Sequence, residues 1–166
     1  MDRLVLVGLP GAGKTTLARS LADAWSCPVI DTDDELALLV GMPAAQYLRE
    51  RGEPAFREVE RAALIVALAE DAVVSTGAGI VSTADARTSL ERENTVWLDS
   101  DDETLLARVG QGDRPLLGED HRASLAALRR QRESWYKAVS RARVDTSGPL
   151  EDVVQRVIER ATSVTP

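Results

Sequence analysis

Cysteine and histidine are almost missing from this chain. Cys27 is its single cysteine, which excludes an intrachain disulfide and suits a reducing compartment. Placed just before Val29-Ile30, it reads as a small packed hydrophobe. The lone His121 follows Gly118-Glu119-Asp120 and reads as a solvated residue at a loop or helix start rather than a catalyst. No apolar run approaches the ~18 residues of a membrane span. Basic residues are too few for a nucleic-acid stripe: the net charge is −7 and the pI near 4.8. Asparagine occurs once, at Asn94 before Thr95, so the Asn-Lys-x-Asp motif that reads guanine in GTPase switches is absent. Met1-Asp2-Arg3 passes straight into an apolar run that reads as a strand, so the expectation is a chain without a signal peptide, in the cytoplasm. Repeats, linkers and low-complexity tracts are also lacking.

What is there is ordinary in bulk and specific in detail. The 166 residues, 28 % charged and 44 % hydrophobic, suit one soluble domain spanning 1–166. The stretch Gly8-Leu9-Pro10-Gly11-Ala12-Gly13-Lys14-Thr15 fits G-x-x-x-x-G-K-S/T. Leu4-Val5-Leu6-Val7 before it reads as a buried strand, and Leu17, Ala18, Leu21, Ala22 and Trp25 after it recur at helical spacing. Strand, glycine loop and helix N-terminus form a phosphate site: backbone N–H groups curve around the anion and the helix dipole adds positive potential. Lys14 can reach the β- and γ-phosphates, and the Thr15 hydroxyl can ligate Mg²⁺. A purine nucleoside triphosphate with Mg²⁺ is the ligand this loop predicts.

Further along, Pro28-Val29-Ile30 reads as a second strand ending at Asp31-Thr32-Asp33-Asp34. Carboxylates at the C-terminal end of a strand beside a phosphate loop lie where parallel sheets bind ligands, though Asp31 or Thr32 could also cap the next helix. From Met42 to Glu70 helical patterns are interrupted at Arg51-Gly52-Glu53-Pro54, then resume with Phe56, Val59, Ala63, Val66 and Ala67. Arg57 and Glu60 lie three apart and can pair; taken alone, the pair reads as a solvated surface contact. Ala72-Val73-Val74-Ser75 is a third strand, running into Thr76-Gly77-Ala78-Gly79. No Asp follows it where many phosphate-loop proteins keep a carboxylate behind Mg²⁺, which makes Asp31 the best candidate for that duty. Thr95-Val96-Trp97-Leu98 is a fourth strand, and Ser100-Asp101-Asp102-Glu103 reads as a capping box opening a helix with Leu105, Leu106 and Val109.

Gly110-Gln111-Gly112-Asp113 and Gly118 bracket Arg114, which suggests a mobile lid over about residues 110–120 or an ordinary surface loop. In the next helix Leu125, Leu128, Arg132, Trp135 and Val139 follow a 3-4-3-4 spacing, so Arg132 falls in an apolar stripe. A buried guanidinium calls for an anion, either a structural carboxylate or a substrate. Arg143-Val144-Asp145 is a fifth strand, and Leu150, Val153, Val154, Val157, Ile158 and Ala161 stripe a last helix. Alternating strands and helices predict an α/β fold: a five-stranded parallel sheet covered by helices on both faces. With a phosphate loop, a lid and a helical substrate-binding insertion over about 33–61, this reads as a P-loop NTPase of the nucleoside-monophosphate-kinase-like type acting on a small molecule.

The ordered motifs resemble one family, the shikimate kinases. They are Gly8 to Thr15; Asp31-Thr32-Asp33; Gly52-Glu53-Pro54-Ala55-Phe56-Arg57-Glu58-Val59-Glu60; Ser75-Thr76-Gly77-Ala78-Gly79; Arg114-Pro115-Leu116; and Arg132 before Trp135-Tyr136. The Gly-Glu-x-x-Phe-Arg-x-x-Glu stretch is much more specific than the phosphate loop. The resemblance implies transfer of the ATP γ-phosphoryl group to the 3-hydroxyl of shikimate, in aromatic amino-acid biosynthesis. It implies that Asp33 holds the accepting hydroxyl as base, that Arg57 and Arg132 grip the shikimate carboxylate, and that Glu60 steadies Arg57. Gly77, Ala78 and Gly79 would bring backbone N–H groups onto the substrate. On the nucleotide side it implies Gly11, Ala12, Gly13, Lys14, Thr15 and Thr16 around the phosphates. Arg114 would come down from the lid, Arg108 would flank adenine, and the turn from Ser147 to Pro149 would edge its pocket. Mg²⁺ would be held by Thr15 and, through water, by Asp31. The expected partners are ATP, Mg²⁺ and the small acceptor, with no nucleic acid and no membrane, in a monomer.

Two positions depart from the family's usual pattern. Ala78 replaces the middle of three glycines, and Trp135 replaces a leucine before Tyr136. These leave a related cyclitol or sugar acid such as gluconate as the alternative acceptor. A nucleoside monophosphate would favour more lid arginines than Arg114 alone. A nucleotide-gated binding protein without turnover is disfavoured by the presence of Lys14, Thr15, Asp33 and Arg114.

Overall fold

A computed structural model describes residues 3–109 and 120–162. The arginine of the expected lid, Arg114, and nearly all of that segment lie outside the described residues. The organising strand is β1, Leu4–Val7, whose four side chains are all buried. Such a run, apolar on both faces, suits the centre of a parallel sheet rather than an edge. β1 lies there: the sheet order is β2-β3-β1-β4-β5, every pairing parallel. Its other strands are β2 (Val29–Asp31), β3 (Val73–Ser75), β4 (Asn94–Asp99) and β5 (Ala142–Asp145), at the positions the apolar runs predict.

Helix α1 (Lys14–Trp25) starts directly from the glycine loop and buries Leu17, Ala18, Leu21 and Ala22. It packs with α7 (Leu150–Thr162), while α4 (Ala84–Leu90) packs with α6 (His121–Val139), so the sheet is covered on both faces. The insertion after β2 consists of α2 (Thr32–Val40) and α3 (Ala44–Ala67). Its small core of Leu36, Phe56 and Ala63 is separate from the main one. α3 is interrupted at Gly52 (φ 79°, ψ 169°), just before Pro54, as the turn signal predicts. A left-handed residue costs glycine little, and proline then suits a restarted first turn.

Two local expectations are corrected. The helix α5 (Asp102–Val109) is capped by Asp101, whose Oδ1 accepts the Thr104 N–H at 2.8 Å. Ser100, expected as the cap, instead buries its hydroxyl without a hydrogen-bond partner among the described residues. Leu150, counted in the apolar stripe of α7, is 41 % exposed, because the stripe begins to bury only at Val153.

Candidate active site

The C-terminal ends of β1, β2 and β3 open into one cleft of about 390 Å³. At one end lies the phosphate loop. A side chain on Gly8 would run into the Leu98 carbonyl, and Gly11 and Gly13 both hold φ 83°, so the loop's path admits only glycine there. The Lys14 ammonium donates to the carbonyls of Gly8 (2.9 Å) and Leu9 (3.1 Å), folded over the loop and facing the cleft with Thr15 and Thr16. Ala12 is buried with its methyl in the core, and its N–H donates to the Leu9 carbonyl.

Asp31 caps α2 and also reaches the phosphate loop. Its Oδ1 accepts the Asp33 N–H at 3.0 Å and so caps α2, while its Oδ2 accepts the Thr15 hydroxyl at 2.8 Å. The Ser75 hydroxyl, at the end of β3, lies 3.1 Å from the same Thr15 oxygen. That strand end has a serine where an Asp was missed; a hydroxyl one residue before Thr76-Gly77 was the signal available.

At the opposite end two guanidiniums converge. Arg57 is 8 % exposed and Glu60 3 %, so the expected surface contact is a buried pair, with Nη1 of Arg57 on Glu60 Oε2 at 2.7 Å. Glu53 holds the other side of the same guanidinium at 2.9 Å. Burial pushes the Glu60 carboxyl above the ordinary carboxylate range; Arg57 opposes this and nearby Asp33 adds to it. Arg132, 3 % exposed on α6, donates from Nη1 to the Ala78 carbonyl at 3.1 Å, while its Nε is buried without a partner among the described residues. Among the described residues no carboxylate forms a salt bridge with Arg132. Both arginines line the cleft with Asp33. Asp33 is linked to the phosphate loop through Asp31 on the Thr15 hydroxyl, and its carboxylate lies beside Gly77 together with Glu60, the partner of Arg57.

The segment after β3 forms the floor between the two ends. The Gly77 N–H donates to the Thr32 hydroxyl at 3.0 Å, and a methyl on Gly77 would sit 2.9 Å from Glu60 Oε1 and 3.1 Å from Asp33 Oδ1. Gly77, Ala78 and Gly79 all face the cleft. At the nucleotide rim the Arg108 guanidinium reaches the Thr146 carbonyl (2.8 Å), its hydroxyl (3.2 Å) and the Gly11 carbonyl (3.4 Å). It thereby ties the turn after β5 to the phosphate loop. Ser147 and Pro149 lie in that turn but do not line the cleft. Arg156, unremarked in the sequence, bonds the Ser147 carbonyl from α7 at 2.6 Å. Tyr136 was also missed as a site neighbour. Tyr136, not Trp135, is the fully buried aromatic of α6, and Trp135 lies half-buried with the Arg87 guanidinium 4.8 Å from its ring centre.

A parallel sheet with a phosphate loop at one end of a cleft, a carboxylate in the middle and buried cations at the other end defines a P-loop kinase of a small anionic molecule. The shikimate kinase family model matches residues 10–162, and the chain belongs to that family. A shikimate kinase of Corynebacterium jeikeium is 42 % identical over 148 residues, covering 88 % of this chain and 80 % of the relative. The structure of the Acinetobacter baumannii shikimate kinase in complex with shikimate superposes with a TM-score of 0.93 at 29 % identity, covering 98 % of this chain and 94 % of that one. A gluconokinase from Sinorhizobium meliloti shares the fold at a TM-score of 0.63 and 18 % identity.

Proposed function

We propose that this protein transfers the γ-phosphoryl group of ATP to the 3-hydroxyl of shikimate, releasing ADP and 3-phosphoshikimate. The observation that carries the reading is the two-ended cleft: Lys14 and Thr15 at one end, Arg57 and Arg132 at the other, and Asp33 between them. A ring bearing a carboxylate and hydroxyls needs a cation clamp at one end and a hydrogen-bond acceptor at the reacting oxygen. Arg57 and Arg132 take the carboxylate with charge-assisted bonds, the unpartnered Nε of Arg132 among them. Glu60 and Glu53 hold Arg57 in place.

Asp33 accepts the proton of the 3-hydroxyl as its oxygen bonds to the γ-phosphorus. The bond from that phosphorus to the β,γ-bridging oxygen breaks, and ADP leaves. Lys14 spreads positive charge over the β- and γ-phosphates, and Arg114, from the lid, adds to it. Arg108 flanks the adenine, and the turn from Ser147 to Pro149 edges its pocket. The Thr15 hydroxyl, with Asp31 and Ser75 beside it, is an all-oxygen set that fits Mg²⁺. Thr15 would ligate the ion and Asp31 would hold it through water, and the chemistry it would supply is neutralisation of phosphate charge. We further infer one kinase domain over 1–166, working as a cytoplasmic monomer in aromatic amino-acid biosynthesis.

The test is an acceptor screen with ATP and Mg²⁺, read by ADP release, over shikimate, quinate and gluconate. Turnover with shikimate exceeding the others is expected; preference for gluconate would overturn the assignment.

A further inference from the structure

Tyr136 lies four residues after Arg132 on α6, so the two side chains rise from one face of the helix. Its ring is fully buried and stacks on Trp97 of β4, centroids 6.1 Å apart with the planes at 23°. A ring wedged in this way leaves its hydroxyl little freedom. That hydroxyl donates to the Ala78 carbonyl, the same oxygen that accepts Nη1 of Arg132 at 3.1 Å. A carbonyl offers two lone pairs, and here each has one donor. Burial raises the phenol's pKa, so the hydroxyl keeps its proton and remains a donor.

We propose that Tyr136 is a positioning residue for the acceptor: by occupying one lone pair of the Ala78 carbonyl it confines Arg132 to the other, and so aims the guanidinium into the cleft. The inference rests on the reading that Arg132 takes the acceptor's carboxylate. The guanidinium's one backbone hydrogen bond is to that carbonyl, the phenol oxygen lies within its hydrogen-bonding reach, and among the described residues its Nε is buried without a partner. Its anchors are thus the Ala78 carbonyl and the phenol beside it, and their position decides where the remaining N–H groups point. Without the phenol, both lone pairs are open to Arg132, which can take them with two nitrogens and turn away from the ligand. The Ala78 segment is itself held by the Gly77 N–H on Thr32 and by Arg87, whose Nη1 donates to the Val81 carbonyl at 2.6 Å beneath Trp135. The carbonyl is therefore a fixed reference, and the tyrosine sets which half of it the arginine uses.

The test is a double-mutant cycle on shikimate affinity, measured by calorimetry, with nucleotide affinity and Tm alongside. Tyr136→Phe keeps the ring and removes the donor; it should weaken shikimate binding about tenfold and leave nucleotide binding unchanged. In an Arg132→Ala background the same change should cost less than twofold, because there is no guanidinium left to misplace. Tyr136→Met, a second variant without the hydroxyl, should show the same acceptor-specific loss even if it is less stable. A lowered Tm with unchanged shikimate affinity, or an equal loss in both backgrounds, would overturn the positioning role. If Arg132→Ala alone binds shikimate as wild type does, the clamp itself is refuted, an outcome distinct from the failure of Tyr136 alone.

Discussion

The Arg57 guanidinium occupies the space that a side chain on Gly79 would need: a methyl built there falls inside it. The backbone of Gly79 (φ −89°, ψ 0°) is open to any residue, so the glycine is required for room and not for its dihedrals. Gly79→Ala must push Arg57 off Glu60 and Glu53. Shikimate KM is expected to rise at least about tenfold, in the range for a lost charged hydrogen bond, with ATP KM unchanged. Steady-state kinetics in both substrates checks this, and an unchanged shikimate KM would show that the position of Arg57 is immaterial to the acceptor.

Asp31 divides its two oxygens between capping α2 and accepting the Thr15 hydroxyl. Asparagine is as good a cap as aspartate, but its amide nitrogen cannot accept from a hydroxyl. Asp31→Asn should therefore keep the wild-type Tm while raising the Mg²⁺ concentration for half-maximal turnover by about tenfold, the usual scale for partners behind a metal ligand. A Mg²⁺ titration of initial rates separates this from a folding defect, which would lower Tm and leave the titration midpoint in place.

How legible these features are in the sequence depends on whether spacing alone encodes them. Leu4 to Val7 and Ala72 to Val74 are apolar on both faces, the pattern of a strand buried within a parallel sheet. Arg132 stands out because a guanidinium interrupts an apolar stripe, and it is buried as that interruption implies. Arg57 and Glu60 carry no such mark, since an i, i+3 pair has the same spacing on a wet face and a dry one. Only the packing of α3 against the segment after β3 buries it. Tyr136 and Trp135 are adjacent on α6, about 100° apart, and the rotation of the helix about its axis decides which one enters the core. Asp101 and Ser100 are both good caps, and the choice follows from where β4 ends.

Asp33 lines the cleft in the first turn of α2, between the phosphate loop and the two arginines. Asp33→Asn preserves size and hydrogen-bonding capacity but removes the proton acceptor. A fall in kcat of ~10²-fold or more is expected, with both KM values within a few fold. Because phosphoryl transfer depends heavily on positioning, the same experiment on Lys14→Ala provides the reference for lost charge stabilisation. A kcat for Asp33→Asn within twofold of wild type would remove Asp33 from the proton transfer.

Glu60 ties the clamp to pH. Its carboxyl is 3 % exposed, and burial holds its pKa above the ordinary 4.5, against the pull of Arg57 and Arg132 and with the push of Asp33. A carboxyl raised on folding binds its proton more readily in the folded chain than in the unfolded one. Its stabilising contribution is therefore complete below the unfolded pKa and is lost as pH rises through the folded value. Acceptor binding runs the other way. Only the ionised carboxylate gives Arg57 a charge-assisted bond at 2.7 Å; once it is protonated, Glu53 alone holds the guanidinium. As pH falls through the raised pKa, shikimate KM should climb while ATP KM stays level. Glu60→Gln should begin with a high shikimate KM and lose that climb. The acceptor's own carboxylate titrates identically with both enzymes, so the difference between their profiles isolates Glu60. The Tm of wild type should also fall relative to Glu60→Gln as pH rises from acid toward neutral. Parallel KM profiles for the two proteins would mean that Glu60 stays ionised throughout, and that its charge, though buried, is fully compensated by the two arginines.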